Sequence, residues 1–195
     1  MSVDVQQQQQ QPVASGADEA GAENGPPHPL KNKWTLCLYN NIRPPSSLAN
    51  TTDYSVFKES IIPKWEVPEN SQGGRWVIQF DKNRGTDIMD AVWLELLIAM
   101  LGEQYGPHMD AVCGMVFNAR SKGSKICIWT TQKGDDATNK AIGDVIKQKL
   151  KDAEVVGEGG ERRILFDVIK YEGHDDCQAK SGSQARVLHV INNSD

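Results

Sequence analysis

The feature that most constrains the fold is one long amphipathic helix predicted after Thr86-Asp87 and ending near Gly102. Apolar residues recur there at helical spacing and form one continuous stripe. They are Met89, Trp93, Leu96, Leu97, Met100 and Leu101, with Val92 beside them. Because a helix with one apolar stripe must cover another layer of structure, the rest of the chain is expected to supply that layer.

Segments that alternate polar and apolar residues surround this helix and predict strands. They are 33–39, 54–62, 75–80, 112–118, 125–131, 164–170 and 185–190. A second helix is predicted from about Asp135 to Lys151, because its apolar residues also fall on one face. Mostly antiparallel strands with two interposed long helices predict an α+β fold, in which the helices pack on one face of a single sheet.

Composition sets limits on domains and function. Residues 1–29 are rich in Gln, Pro and Ala and poor in apolar groups, which predicts a disordered tail before one domain at 30–195. The net charge of −5 argues against a protein that coats nucleic acid by bulk electrostatics. The cysteines form no CxxC pair, so we expect neither a zinc site nor another cofactor. With no signal peptide or long apolar run in the sequence, a soluble intracellular protein is expected.

Trp65 is the first candidate binding residue. It lies in a loop between Pro63 and Pro68 and is followed by Glu66. A π-face beside a carboxylate is what guanine recognition needs, and a methylated, cationic guanine adds a cation–π term. The alternative is that Trp65 only covers the sheet edge.

A basic hairpin between the strands 112–118 and 125–131 is the second candidate. Arg120, Lys122 and Lys125 cluster there, and Arg75 begins another strand after two glycines. Such a local cluster in an acidic protein can hold a phosphate chain. The alternative is an ordinary solvated hairpin tip.

Leu94 and Ile98, beside Glu95, fall at the edge of the first helix's apolar stripe. They can receive a partner helix or contact another part of the helical layer.

The sequence lacks phosphate-loop, nucleophile-elbow and HExxH motifs, which argues against an enzyme. Cys113 and Cys127 lie in apolar strands and are expected to be inert core thiols.

Taken together, short stretches that follow one another across 28–190 in the same order as in the family resemble the eukaryotic translation initiation factor 4E family, which binds the 7-methylguanosine cap of mRNA. The matching stretches are 28–30 with Trp34, 53–58, 63–66, 73–76, 93–95, 112–114, 118–125, 128–131 and 180–183. The resemblance implies a curved, mostly antiparallel sheet with long helices on its convex face. It also implies a cytoplasmic protein, with the nucleus as a second compartment.

The resemblance implies a role for each matching residue. Trp65 resembles one of two tryptophans that sandwich the methylated base, Glu66 the carboxylate that pairs with guanine, and Trp129 the tryptophan at the methyl group. The implied phosphate binders are Arg120 and Lys125, with Arg75, Lys122 and Lys180 beside them. Ser183 matches a regulatory phosphorylation position. Pro29, Leu94, Glu95 and Ile98 match the surface that binds the scaffold factor 4G and 4E-binding proteins.

One departure from the family is large. In the family, the strand at Trp34 is followed by a loop with the first sandwich tryptophan, then by another strand and a helix. This chain lacks counterparts of these three elements, and the junction falls between about 38 and 42. No Trp lies between Trp34 and Trp65. The fold is therefore expected to lack one strand and one helix. We expect the loss of an interior strand to open a sheet edge and uncover apolar helix surface, weakening cap binding, scaffold binding and stability.

Four functions remain open from the sequence. The first is a cap-binding initiation factor that links mRNA to the scaffold. The second is an impaired or regulatory isoform that represses translation. The third is a protein-interaction module without cap binding, and the fourth, least supported, is a nucleotide-processing enzyme. The cap type, monomethylated or trimethylated, is left open.

Overall fold

The described residues form one seven-stranded sheet. A computed structural model describes residues 31–32, 34–36, 43–80, 86–153, 160–161, 163, 165–175 and 186–194. The strands are β1 (Trp34–Leu36), β2 (Asp53–Lys58), β3 (Gly74–Phe80), β4 (Val112–Asn118), β5 (Ser124–Thr130), β6 (Val168–Gly173) and β7 (Val187–Asn192). They are hydrogen-bonded in the order β1-β2-β4-β5-β3-β6-β7. Every neighbouring pair is antiparallel.

Among the described residues, the sheet is accompanied by the single-turn helix α1 (Pro68–Ser71) and the long helices α2 (Thr86–Leu101) and α3 (Asp136–Asp152). Two 3₁₀ turns lie at Pro45–Ser47 and Gly106–Ala111. α3 begins after Asp135, whose carboxylate accepts a hydrogen bond from the Thr138 backbone N–H at 3.1 Å and so caps the helix.

The two faces of the sheet bury different clusters. The larger cluster packs α2 and α3 against one face and includes Trp76, Ile78, Trp93 and Ile146. The smaller one lies on the opposite face and consists of Phe57, Val77, Cys113, Val116, Cys127 and Trp129, with Ile61 and Trp65 packed against it. Because side chains alternate along a strand, β3 sends Trp76 and Ile78 toward the helices and Val77 toward the second face.

The helices and central strands agree with the sequence predictions, and three strands differ. β2 is predicted at 54–62 and runs Asp53–Lys58, because the chain turns there, with the Ile61 N–H donating to the Lys58 carbonyl at 2.9 Å. β6 is predicted at 164–170 and runs Val168–Gly173, and β7 is predicted at 185–190 and runs Val187–Asn192. Leu165 and Phe166 explain the shift of β6, because they are buried in the core but lie before the paired residues. An apolar stretch thus predicts which residues are buried, whereas the strand begins only where β3 and β7 lie alongside and can form backbone hydrogen bonds.

The described strands form a continuous sheet in which each strand is hydrogen-bonded to the next and β1 forms one edge. The expected loss of a strand therefore leaves no gap between the described strands. The predicted junction at 38–42 lies outside the described residues, and so does the predicted tail at 1–29. Between β1 and β2, the described residues contain the 3₁₀ turn at Pro45–Ser47 and no α-helix. The architecture is the predicted α+β arrangement.

Candidate functional site

Strand register gathers side chains on the face opposite the long helices. Directly paired residues on neighbouring strands point to the same face. One such row is Phe57, Gly114, Trp129, Arg75 and Glu172, and a second is Asp53, Asn118, Lys125 and Gln79. The second face therefore carries an aromatic and ionic row beside a polar row.

Gly114 makes room for the first row. A Cβ at this position would lie 2.5 Å from the Phe57 ring, which no real side chain tolerates. With hydrogen there, Phe57 meets Trp129 edge to face, with ring centroids 5.4 Å apart. The Trp129 side chain is consequently buried in the smaller cluster and is only 4% exposed.

Trp65 lies in the loop between β2 and α1, and buried Asn70 fixes this loop. The Asn70 amide donates hydrogen bonds to the carbonyls of Ile62 and Lys64, at 2.9 and 2.8 Å. The half-buried Trp65 ring lies 6.2 Å from Trp129, measured between centroids. The structure thus brings together the two tryptophans that the sequence identified.

Arg75 lies against this aromatic pair. Its Cζ is 5.6 Å from the Trp65 ring centroid, within cation–π range. Its guanidinium also donates to the Glu172 carboxylate at 3.2 Å, and both side chains are 15% exposed. Arg75 is therefore held at the aromatic pair by a mostly buried ion pair.

A cleft of about 270 Å³ opens between these groups. It is lined by Asp53, Ser55, Pro63, Trp65, Arg75, Val116, Asn118 and Trp129. Aromatic faces with a few convergent polar groups are typical of a site for a small planar ligand. The Glu66 side chain, next to Trp65, is exposed.

The basic hairpin between β4 and β5 lies at the polar row. Arg120 forms a salt bridge to Asp53 at 2.7 Å, and Asp53 in turn accepts a hydrogen bond from Asn118 at 2.8 Å. Lys122 is exposed and Lys125 half-buried, and neither forms an ion pair with a described residue. Because Asp53 and Asn118 also line the cleft, Arg120 is anchored at its margin, where an anionic group can be held.

His174, which sequence reasoning missed, joins the site from the end of β6. Its ring is fully buried and lies 4.4 Å from the Trp129 ring between centroids. Burial lowers the pKa of His174 to about 4, so the ring is neutral at physiological pH. The sequence signal was only a histidine after a strand, and its neighbours are distant in sequence.

Two further predictions concern the rest of the molecule. Leu94 and Ile98 on α2 are 54% and 51% exposed, and Glu95 is half-buried beside them. An apolar groove of about 290 Å³ adjoins them and is lined by Arg43, Pro44, Pro45, Asp90, Ala91, Trp93, Leu94 and Leu97.

The expected burial of Cys113 and Cys127 is confirmed, and burial raises the pKa of Cys113 to about 12.

Pro29, Lys180 and Ser183 lie outside the described residues. In the part of the chain that the structure describes, no group of three or more His, Cys, Asp or Glu side chains could hold a metal ion. None of the described helices combines the length and apolar character that crossing a membrane requires.

The sequence profile described as eukaryotic initiation factor 4E matches residues 30–187. The chain belongs to this family. It is 49% identical over 158 residues to eukaryotic translation initiation factor 4E-1 of Caenorhabditis elegans, covering 81% of this chain and 73% of that protein. It is 33% identical over 211 residues to human eukaryotic translation initiation factor 4E, covering 94% of this chain and 92% of the human protein. The predicted family is confirmed, and the family is one of initiation factors rather than enzymes.

Solved structures of family members agree with the fold. Ascaris suum eIF4E-3 in complex with the m2,2,7G cap superposes with a TM-score of 0.64 at 37% identity, covering 78% of this chain and 76% of that one. C. elegans eIF4E-3, solved with the 4E-binding protein Mextli and a cap analog, gives a TM-score of 0.66 at 33% identity, covering 84% of this chain and 99% of that one.

The sequence alignment with the human protein, at 211 residues, is longer than this chain of 195. The human protein therefore contains residues with no counterpart here, as the expected internal loss requires.

Proposed function

We propose that this chain binds the 7-methylguanosine cap of mRNA and takes part in translation initiation by linking capped mRNA to the scaffold initiation factor. The observation that carries the proposal is the cleft in which Trp65 and Trp129 lie beside Arg75. Relatives solved with cap ligands support it, namely Ascaris suum eIF4E-3 with m7G and with m2,2,7G caps.

The chemistry of the site explains how a cap would be held. The Trp65 ring offers a stacking face for the cationic base, and the exposed Glu66 carboxylate offers an acceptor for the N–H donors of guanine. Arg120, Lys122 and Lys125 supply positive charge for the phosphates at the margin of the cleft. Lys180 is assigned to the phosphate chain by resemblance alone.

The proposed protein partners bind on the opposite side of the molecule. Leu94, Glu95 and Ile98 present an apolar, partly exposed helix surface beside the groove on α2, and an amphipathic helix of the scaffold factor or of a 4E-binding protein fits such a surface. C. elegans eIF4E-3 has been solved with the 4E-binding protein Mextli. Pro29 extends the same proposal by resemblance, and Ser183 is proposed as a phosphorylation site. We place the protein in the cytoplasm, with the nucleus as second compartment.

A second candidate function is a weakened or regulatory isoform that represses translation. The observation in its favour is that no Trp lies between Trp34 and Trp65, where the family resemblance puts the other sandwich tryptophan. Loss of one stacking ring costs about 1–3 kcal/mol, which corresponds to roughly ten- to a hundred-fold in affinity. Such a chain would occupy caps weakly and recruit scaffold poorly.

Fluorescence titration with m7GTP and with its trimethylated form tests cap binding. Trp65→Ala should weaken binding of the preferred cap by about ten- to a hundred-fold, because it removes the remaining stacking face. Glu66→Gln should also weaken it, whereas Glu69→Gln, an exposed carboxylate three residues further on, should not. Equal affinities for wild type, Trp65→Ala and Glu66→Gln would show that the cleft does not hold a cap.

A pull-down on cap resin from a translation extract separates the two candidates. An initiation factor retains the scaffold together with itself on the resin. A repressive isoform is retained without scaffold, and its addition lowers translation of capped reporter mRNA relative to uncapped mRNA. Recovery of intact m7GTP after long incubation checks that no hydrolysis occurs.

A further inference from the structure

A buried hydrogen-bonded pair, His174 and Asn70, connects the end of β6 to the loop that carries Trp65. Both residues are fully buried, at 0% exposure. The His174 backbone N–H donates to the Gly73 carbonyl at 3.1 Å. Its ring Nδ1 lies 2.8 Å from the Asn70 carbonyl oxygen, and since a carbonyl only accepts, Nδ1 carries the proton and donates.

Asn70 continues this chain of hydrogen bonds to Trp65. Its side-chain amide donates to the carbonyls of Ile62 and Lys64, at 2.9 and 2.8 Å. Lys64 is the residue immediately before Trp65. The hydrogen bonds therefore run from the His174 ring, through Asn70, to the backbone that sets the position of the Trp65 ring.

The His174 ring also contacts the aromatic pair directly. Its centroid lies 4.4 Å from that of Trp129, at an interplanar angle of 54°. It is nearly parallel to Trp65, at 15° and 6.4 Å. His174 thus packs beside both tryptophans while it holds the loop of one of them. Its Nε2 is buried and has no hydrogen-bond partner among the described residues, as expected of a neutral ring.

We propose that His174 is a positioning residue of the cap-base site, which acts through Asn70 to hold the Trp65 loop at its observed position beside Trp129. The inference rests on the proposed cap-binding function. Its physical basis is preorganisation: a stacking ring that is already in place loses less conformational freedom when the ligand binds. His174 is not proposed to touch the cap.

A matched pair of substitutions tests this role. His174→Asn keeps a donor at the δ position that can reach the Asn70 carbonyl, whereas His174→Leu has similar size and branching without a donor. We expect His174→Leu to weaken m7GTP binding about ten-fold and His174→Asn to retain most of the affinity. Equal losses in the two variants would overturn the proposal, because a merely space-filling role does not distinguish them.

A second readout does not depend on cap binding. The indole N–H resonance of Trp65 in a ¹H–¹⁵N spectrum, assigned with Trp65→Phe, reports the position of the ring. We expect this resonance to move or broaden in His174→Leu and to return toward its wild-type position in His174→Asn. An unchanged resonance in His174→Leu overturns the proposal. If wild type fails to bind m7GTP, the proposed function fails, while the resonance still decides whether His174 positions Trp65.

Asn70→Ala provides a second variant in case His174→Leu does not fold. It leaves His174 in place and removes the hydrogen bonds to Ile62 and Lys64. We expect it to shift the Trp65 resonance and to weaken m7GTP binding to a similar extent as His174→Leu. A folded Asn70→Ala protein with wild-type affinity and an unshifted Trp65 resonance would contradict the proposed route.

Discussion

Acidification should destabilise this protein through His174. The ring is fully buried, and its Nε2 has no acceptor among the described residues, so a second proton would place an unpaired charge in the core. Burial is the main reason that the pKa of His174 falls from 6.5 to about 4, and nearby Arg75 and Lys133 lower it further. The Asn70 carbonyl and Asp175 act in the opposite direction without reversing the shift.

The sign and size follow from proton linkage. Between pH 6.5 and 4 the unfolded chain binds a proton at His174 that the folded chain does not bind, so the free energy of unfolding falls as pH falls. The contribution is fully present above pH 6.5 and is lost toward pH 4. For these pKa values it amounts to about 2 kcal/mol lost by pH 5, and about 3 kcal/mol when both states are protonated.

Urea unfolding between about pH 7.5 and pH 5 measures this loss. His174→Asn should be less stable at neutral pH but should lose about 2 kcal/mol less than wild type over this interval. His108→Asn, a half-buried position in the turn after α2, controls for the removal of one histidine. If wild type and His174→Asn lose stability in parallel, His174 is not the group that titrates, and the reasoning from its burial is refuted.

Three other substitutions test the packing, the proposed phosphate site and the proposed partner surface. Gly143→Ala on α3 should lower stability by about 1–3 kcal/mol in thermal unfolding, because the new Cβ would overlap the Trp76 ring. Asp53→Asn should change stability little, since Asp53 and Arg120 are both exposed. Because Asp53 holds Arg120 at the cleft, the substitution should weaken m7GTP binding several-fold in calorimetry without affecting binding of the nucleoside 7-methylguanosine, which lacks the phosphates. Leu94→Ala should alter stability by no more than about 0.5 kcal/mol, while capture of the scaffold on cap resin falls.

Local periodicity was sufficient to predict α2, α3 and the β4–β5 hairpin. Their apolar residues repeat with a period that only one backbone conformation can place on one face. The α2 prediction, from Thr86-Asp87 to Gly102, agrees with the structure to within a residue. The exposure of Leu94 and Ile98 followed from the same periodicity, because both fall off the buried stripe.

The contacts that hold the site together could not be predicted in this way. Arg75 and Glu172 are 97 residues apart, and His174 and Asn70 are 104 apart. Neither pair has a local pattern, since each depends on which strands become neighbours in the sheet. Trp65 and Glu66 were identified because a tryptophan and a carboxylate in a proline-flanked loop are unusual, and because they resemble a family motif. The loop's anchor, Asn70, carries no such signal.

The arrangement of charges and rings in the cleft affects how much base stacking and phosphate contacts each contribute to the free energy of the proposed cap binding. The Arg75 guanidinium already lies over the Trp65 ring and is held there by Glu172, so a cationic base that stacks on Trp65 is brought close to a fixed positive charge. With no Trp between Trp34 and Trp65, the stacking contribution of a second ring, about 1–3 kcal/mol, is also missing. In the proposed cap complex, a larger share of the binding free energy would therefore come from the proposed phosphate contacts at Arg120, Lys122 and Lys125. Because these side chains are partly or largely exposed, salt screens them over about 8 Å at physiological ionic strength. Weak, salt-sensitive cap binding with a strong preference for the triphosphate over the free nucleoside is the behaviour that this arrangement favours.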